Sequence, residues 1–488
     1  MSRQIQRLGL ALMLLFVALF AQLNYVQVVR ADKLNNDPRN TRVATRDFSR
    51  PRGFVQTADG VVVARSVPTD DTFKRLRQYP EGDLFAHVSG YFSFTFGTEG
   101  VERTYNDELA GRDVNVTVRR LEDLPKALSS DDKAVGNVTL TLSKRLQQIA
   151  REALGPRRGS VVALDPKTGG VLAMWSHPSF DPNPLSAHSQ EAVRNAWLQL
   201  QTQPERPLLP RAYRERYAPG STFKVVTAAA ALDRKPELVT KDYPVLRQLD
   251  LPGSTRDLPN FGGGRCGGPL PQLLKVSCNT GFAQMGLDLG ADNLSGEANA
   301  FGFNERPPLD LPVVRGSVFP DAGSFERNLA ALAQSAIGQR DVSATPLHMA
   351  LIAGGIGHGG VAMRPHVMAE IRDSEGDRVR GYEPGEWRQM TSPATAAAVR
   401  DMMIGVVNGG TAARVAIPGI QVAAKTGTAQ TTGDNAHAWI IAFAPADDPK
   451  VAIAVIVESQ PGVSEATGGR VAAPIARTVM QAALSGSP

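Results

Sequence analysis

Ser221-Thr222-Phe223-Lys224 places a hydroxyl and an amine three residues apart at the head of the apolar run Phe223–Leu232. On a helix that spacing sets both groups on one face, one turn apart. A serine oxygen becomes a strong nucleophile when a base takes its proton, and a desolvated, neutral lysine can be that base. Arginine cannot, because it keeps its proton in proteins. Only 12 of the 53 basic residues are lysine, so lysine at this position departs from the chain's own preference. A second copy of the pattern, Ser130-Asp131-Asp132-Lys133, has two acids beside its lysine. Those acids would hold the amine charged, and no apolar helix follows it.

Ser277-Cys278-Asn279 puts a hydroxyl and an amide two residues apart, 56 residues after Ser221. From an extended or turn segment the two project the same way, one to relay a proton and one to hold a substrate amide. Alone, such a triplet is an ordinary polar loop cap. Lys425-Thr426-Gly427-Thr428 follows the strand-like run Ile420–Ala424. There a lysine can neutralise an anionic substrate terminus and threonine hydroxyls can bond a carboxylate. The glycine lets a substrate backbone approach the strand edge. Lys167-Thr168-Gly169 repeats the pattern inside the connection DPKTGG, where a solvated turn is expected. Gly419–Thr426 comes within one residue of a phosphate-binding loop. The strand falls inside that would-be loop and no helix follows its lysine, so nucleotide binding is set aside.

These groups need elements to hold them. Phe54-Val55 and Val61–Val63, broken by Asp59-Gly60, predict a hairpin in a β-rich stretch over 30–140. Residues 143–154 switch to helical spacing. The runs Ser160–Leu164 and Val171–Trp175 predict strands around a turn, and Ala438–Ala444 and Val451–Val457 predict buried strands. Residues 470–484 predict a closing amphipathic helix. The expectation is a mixed α/β chain with a boundary near 140. Leu8 to Val29 carries no charge over 22 residues, roughly 33 Å of helix and enough to cross a hydrocarbon core. Arg3 and Arg7 before it favour a cytoplasmic amino terminus; no clean A-x-A site follows that would mark a cleaved signal peptide. The expected division is therefore a 1–7 tail, an 8–29 anchor, a 30–140 module and a 141–488 catalytic domain. Asn24 and Gln27 share one face of the anchor, either at the outer interface or against another membrane helix.

The three motifs in this order, S-x-x-K, S-x-N and K-T-G, resemble the set of penicillin-binding proteins and class A β-lactamases. PGSTFK, AKTGTAQ and HAWIIAFAP are close in wording to class B penicillin-binding proteins. So are 160–183, 338–350, Gly53, Asp59-Gly60 and Gly100–Glu102. The absence of an appended repeat domain makes the chain most similar to the penicillin-binding protein A type of actinobacteria. The resemblance implies an α+β transpeptidase fold. Its parts would be an antiparallel five-stranded sheet flanked by helices and a helical subdomain, after a non-catalytic dimerisation or pedestal module. It implies Ser221 as nucleophile, Lys224 as base and Ser277 as the proton relay to the leaving amine. Asn279 would hold the donor peptide and Lys425 would supply a positive field. Thr426 and Thr428 would bind the terminal carboxylate beside Gly427, with the backbone N–H groups of Ser221 and Thr428 as the oxyanion hole. The substrate would be a peptidoglycan stem ending in D-Ala-D-Ala, and β-lactams would acylate the same serine. No glycan-polymerising module is visible, so a membrane-embedded RodA/FtsW-type polymerase is the implied partner.

Water in place of the acceptor amine would make a D,D-carboxypeptidase, and a pocket without turnover would make a β-lactam sensor or scaffold. The anchor and the amino-terminal module argue against the first. The short stretch before the anchor leaves no cytoplasmic signalling domain for the second. No carboxylate is recognisable that would activate water as in a β-lactamase. A net charge of +5 over 488 residues, with no basic run, speaks against nucleic acid. Cys266 and Cys278 are 12 apart. Outside the cytoplasm they can bridge, closing a loop worth roughly 3 kcal/mol, or remain free thiols. The seven histidines show no ligand spacing, so no metal and no cofactor are expected. His437 reads as a strand-end residue beside Trp439.

Overall fold

The computed structural model describes residues 3–30, 48–113, 135–430, 436–459 and 467–486; the Ser130–Lys133 motif lies outside them. Ser160–Leu164 and Val171–Trp175 lengthen to the strands Gly159–Leu164 and Val171–His177, because backbone pairing continues past the apolar run. They join Ala423–Gln430, Ala436–Ala444 and Val451–Val457 in one antiparallel sheet. Its order is 423–430, 436–444, 451–457, 159–164, 171–177, so the first and last strands of the chain's catalytic part are brought together at its centre. Every residue of Val451–Val457 is buried, which requires cover on both faces. The helix Pro346–Gly357, apolar but for His348 and almost wholly buried, packs with Pro393–Val407 in one layer. Lys144–Leu154, capped by Ser143, packs with Ala473–Ser485 in another.

One strand departs from the sequence reading. The edge strand starts at Ala423 rather than Ile420 and runs through Lys425–Thr428 to Gln430. Apolar pattern alone ends it at Ala424; pairing with the neighbour, in register from Ala423↔Phe443 to Gln430↔Ala436, carries it onward. Upstream, Ile417 and Ile420 only bridge each other across Pro418-Gly419.

Val55–Gln56 and Val62–Pro68 pair antiparallel around Asp59-Gly60. Short helical turns over Ala86–Ser89, Val101–Thr104 and Asn106–Leu109 interrupt this β-rich part; four residues are too few to show periodicity. The sheet is also completed from far along the chain. Met368–Arg372 pairs with Asn137–Leu140, and Arg378–Gly381 extends the edge. The amino-terminal module and the catalytic part therefore share a sheet.

Arg3–Asn24 is a continuous helix, extended by a wider turn over Tyr25–Val29. It is the one described helix long and apolar enough to cross a membrane. Asn24 Nδ2 donates to Phe20 O at 2.8 Å, within its own helix.

Candidate active site

The S-x-x-K segment does not begin as an α-helix. Gly220–Phe223 forms a tight 3₁₀ turn that feeds the helix Lys224–Arg234. In a 3₁₀ turn residues three apart eclipse, which puts Lys224 under Ser221. Thr222 Oγ1 donates to Pro219 O at 2.7 Å and Gly220 N to Gly338 O at 2.9 Å. Gly220 has φ +54°, and a Cβ there would lie 2.8 Å from Thr428 O, so only glycine lets the serine turn sit against the edge strand. Phe223 anchors the turn from below, its ring 5.3 Å from those of Phe303 and Phe319.

Ser277 and Asn279 occupy the junction of two helices rather than an extended segment. Ser277 ends Leu270–Val276 with φ +57°, and Asn279 begins Asn279–Leu289. The reversal aims both side chains at Lys224. Asn260, 17 residues before Ser277, builds this corner: its Oδ1 accepts from the backbone N–H groups of Asn279 and Thr280, each at 3.0 Å. Nothing in the sequence marks that asparagine, because its partners are brought by folding. Cys266 and Cys278 form a disulfide, with Cα atoms 5.8 Å apart, tying the glycine-rich wall to the same corner.

The two lysine amines converge. Lys224 Nζ donates to Ser277 O and Asn279 Oδ1, both at 2.8 Å, and Ser277 Oγ lies 3.4 Å away. Lys425 Nζ donates to Ser277 Oγ at 2.8 Å and to Thr426 O at 2.9 Å. Both lysines are fully buried, and none of these acceptors is a carboxylate. Burial, and then the charge of Lys425, push the Lys224 amine well below the ordinary lysine range. Burial pushes Lys425 down to about 7. A neutral amine has two hydrogens and one lone pair. At Lys224 two carbonyl-type oxygens take the hydrogens, leaving the lone pair for a hydroxyl proton.

Above the amines lies a cavity of about 1040 Å³, lined by Ser221, Ser277, Asn279, Thr426, Gly427 and Thr428 among others. The three motifs, scattered over two hundred residues, thus meet at one site. Thr411, unremarked in the sequence, shares a hydroxyl contact of 2.6 Å with Thr426. Gly468 was missed as well: a Cβ there would lie 2.0 Å from Trp439 O and 2.6 Å from Gly427 O. It closes the back of the site, and its signal was only the pair Gly468-Gly469. Lys167-Thr168-Gly169 lies apart in its turn, with Lys167 paired to Asp448. His437 sits on Ala436–Ala444, where its Nδ1 accepts from Ser459 N at 2.9 Å. Among the described residues no cluster of three metal-ligating side chains occurs.

Residues 159–481 match the penicillin binding protein transpeptidase domain, and 52–138 the penicillin binding protein A dimerisation domain. The chain is 42% identical to the peptidoglycan D,D-transpeptidase PbpA of Mycolicibacterium smegmatis over 99% of both chains. It is 41% identical to the PbpA of Mycobacterium tuberculosis over 100% of both. The ceftriaxone acyl-enzyme structure of penicillin-binding protein A from M. tuberculosis superposes with a TM-score of 0.83 at 40% identity, covering 90% of this chain and all of that one.

Proposed function

This chain belongs to the class B penicillin-binding proteins, and from that premise we propose how its residues divide the work of a peptidoglycan D,D-transpeptidase. It is a serine-type enzyme of cell-wall synthesis that acts on stem peptides and is acylated by β-lactams. The observation that carries the assignment of roles is the meeting of two buried, carboxylate-free amines on Ser277 Oγ at the floor of the Ser221 cavity.

Lys224 takes the Ser221 hydroxyl proton as the oxygen attacks the carbonyl carbon between the two terminal D-Ala residues. The oxyanion is held by the backbone N–H groups of Ser221 and Thr428. Ser277 passes the proton from Lys224 to the departing amine, and free D-Ala leaves as the C–N bond breaks. Asn279 holds the donor peptide, while Lys425, Thr426 and Thr428 hold the terminal carboxylate; Gly427 permits the close approach. An amine of a neighbouring stem then attacks the ester. Its proton returns along the same path, a new amide forms and the Ser221 hydroxyl is restored.

Arg3–Gln27 would span the membrane with its amino terminus in the cytoplasm and residues 30–488 outside, a compartment that suits the Cys266–Cys278 bridge. Residues 30–140 would form the pedestal or dimerisation module and 141–488 the catalytic domain. A RodA/FtsW-type polymerase would supply the glycan strands beside the anchor. Treating the purified exported part with labelled penicillin and mapping the adduct by peptide mass tests the roles. One stable ester on Ser221 is expected, absent in Ser221→Ala; a label on any other serine overturns them.

A further inference from the structure

The two N–H groups assigned to the oxyanion belong to different elements. Ser221 lies in the 3₁₀ turn Gly220–Phe223 and Thr428 in the edge strand Ala423–Gln430. Among the described residues no backbone hydrogen bond joins that turn to that strand. The turn's backbone is pinned to the 338–344 segment instead: Tyr217 N donates to Ala344 O at 3.0 Å and Gly220 N to Gly338 O at 2.9 Å. Two donors that must meet one oxygen need a fixed separation, so another strut has to hold turn and strand together.

Trp439 has the geometry of that strut. It stands directly across from Gly427, on the strand Ala436–Ala444, which is paired along both of its sides. Facing residues of paired strands share a face, and Gly427 leaves its place on that face empty. A Cβ there would lie 2.9 Å from Pro219 O and from Thr222 Cγ2, and 3.0 Å from Trp439 Cβ. Serine turn, glycine and indole are therefore packed in one layer. The indole is fully buried, and its Nε1–H donates to Ala218 O at 3.1 Å, three residues before Ser221. Tyr217, whose ring meets the indole edge-on at 6.0 Å, adds a longer hold through its hydroxyl on Glu458 at 2.8 Å. We propose that Trp439 is a positioning residue of the reaction: its N–H on Ala218 O sets the separation of the Ser221 and Thr428 donors. The proposal rests on the transpeptidase reading above and names what holds its oxyanion donors in place. Such a strut acts where charge develops on the carbonyl oxygen, so it serves the transition state rather than binding of the intact substrate.

The test uses the full chain in detergent and penicillin G carrying carbon-13 at its lactam carbonyl. Replacing Trp439 by benzothienylalanine keeps the ring shape and puts sulfur where the indole carries its N–H. Acylation of Ser221 at saturating penicillin should slow by about 10- to 100-fold, the cost of a displaced reacting geometry, while the affinity before acylation stays within about twofold. The infrared band of the penicilloyl ester carbonyl should move to higher wavenumber, because donors set apart polarise that bond less. Trp439→Phe should repeat both changes. Trp175 is the matched control: it is buried on the opposite edge strand, Val171–His177, but its indole N–H has no acceptor among the described residues. Trp175→Phe should lower the melting temperature and leave the acylation rate and the carbonyl band as in the wild type. A wild-type rate or band in both Trp439 variants overturns the proposal, as does a loss that falls on affinity alone. Equal slowing in Trp175→Phe overturns it too, because lost packing would then be the cause. Failure of penicillin G to label Ser221 in the wild type would instead strike the transpeptidase reading beneath it.

Discussion

Two regions of the molecule bury cations and put them to opposite uses. In the amino-terminal module Arg52 and Arg77 close on Glu102, each with a contact of 2.6 Å, and the Tyr79 hydroxyl adds a fourth member at 3.3 Å. Burial alone would raise the Glu102 pKa, but the two guanidiniums outweigh it and hold the carboxyl below its usual range. The remaining donors are largely absorbed by Glu102 O, Asn106 and Gly53. In the catalytic cleft Lys224 and Lys425 are fully buried, yet their acceptors are backbone carbonyls, an amide and a hydroxyl. The two guanidiniums keep their charge, as arginine does in proteins even where burial lowers its pKa, and closed on a carboxylate they become a structural clasp. A buried lysine without a carboxylate has its pKa forced down, and its proton becomes available for chemistry.

The comparison is broken most directly at Lys224. Replacing it with methionine should slow acylation of Ser221 by penicillin by about 10²–10⁴-fold, the usual worth of a positioned base. The melting temperature should hold or rise by a few degrees, because an apolar chain of similar volume replaces a desolvated amine. A steep loss of stability instead would mean that Lys224 is a clasp like Glu102.

Glu102→Gln is the mirror experiment. It keeps the shape but leaves two guanidiniums buried beside a neutral amide, and should cost about 3–5 kcal/mol in urea unfolding. The folded fraction should acylate at the wild-type rate. Loss of acylation per folded molecule would mean that the module's charges act on the cleft.

How far the sequence reveals these regions follows from the same physics. The cleft was legible because serine, lysine and threonine at short spacings are specified by chemistry and resist substitution by anything else. The buried strands Ala438–Ala444 and Val451–Val457 were legible because burial on both faces demands unbroken apolar runs. The start of the Lys425 strand was not, because backbone pairing rather than apolar pattern sets it at Ala423. Nor was the addition of Met368–Arg372 to the amino-terminal sheet, a pairing across some 230 residues with no local signal. Asn260 stayed silent for the same reason: its meaning lies in groups that only the fold brings near.

The finest test of the contrast is pH, and the two regions should answer differently. Lys425 titrates at about 7 in the folded protein, against roughly 10.4 in an unfolded chain. Between those values the unfolded state binds a proton that the folded state does not, so stability should rise with pH there. Below pH 7 both states are protonated and this contribution is flat. Glu102, with its pKa lowered, works the other way round: its contribution is present above the unfolded carboxylate pKa and is lost as pH falls through the folded one. The catalytic signature follows from the same proton. Charged Lys425 attracts the carboxylate of penicillin G but not its methyl ester, so the ratio of their acylation rates should fall as pH rises through 7. The expected fall is up to about tenfold between pH 6 and 9, one charge-assisted contact in size. A flat ratio would show that the cleft neutralises Lys425 with a partner of its own, and the distinction between clasp and adjustable charge would fail at that residue.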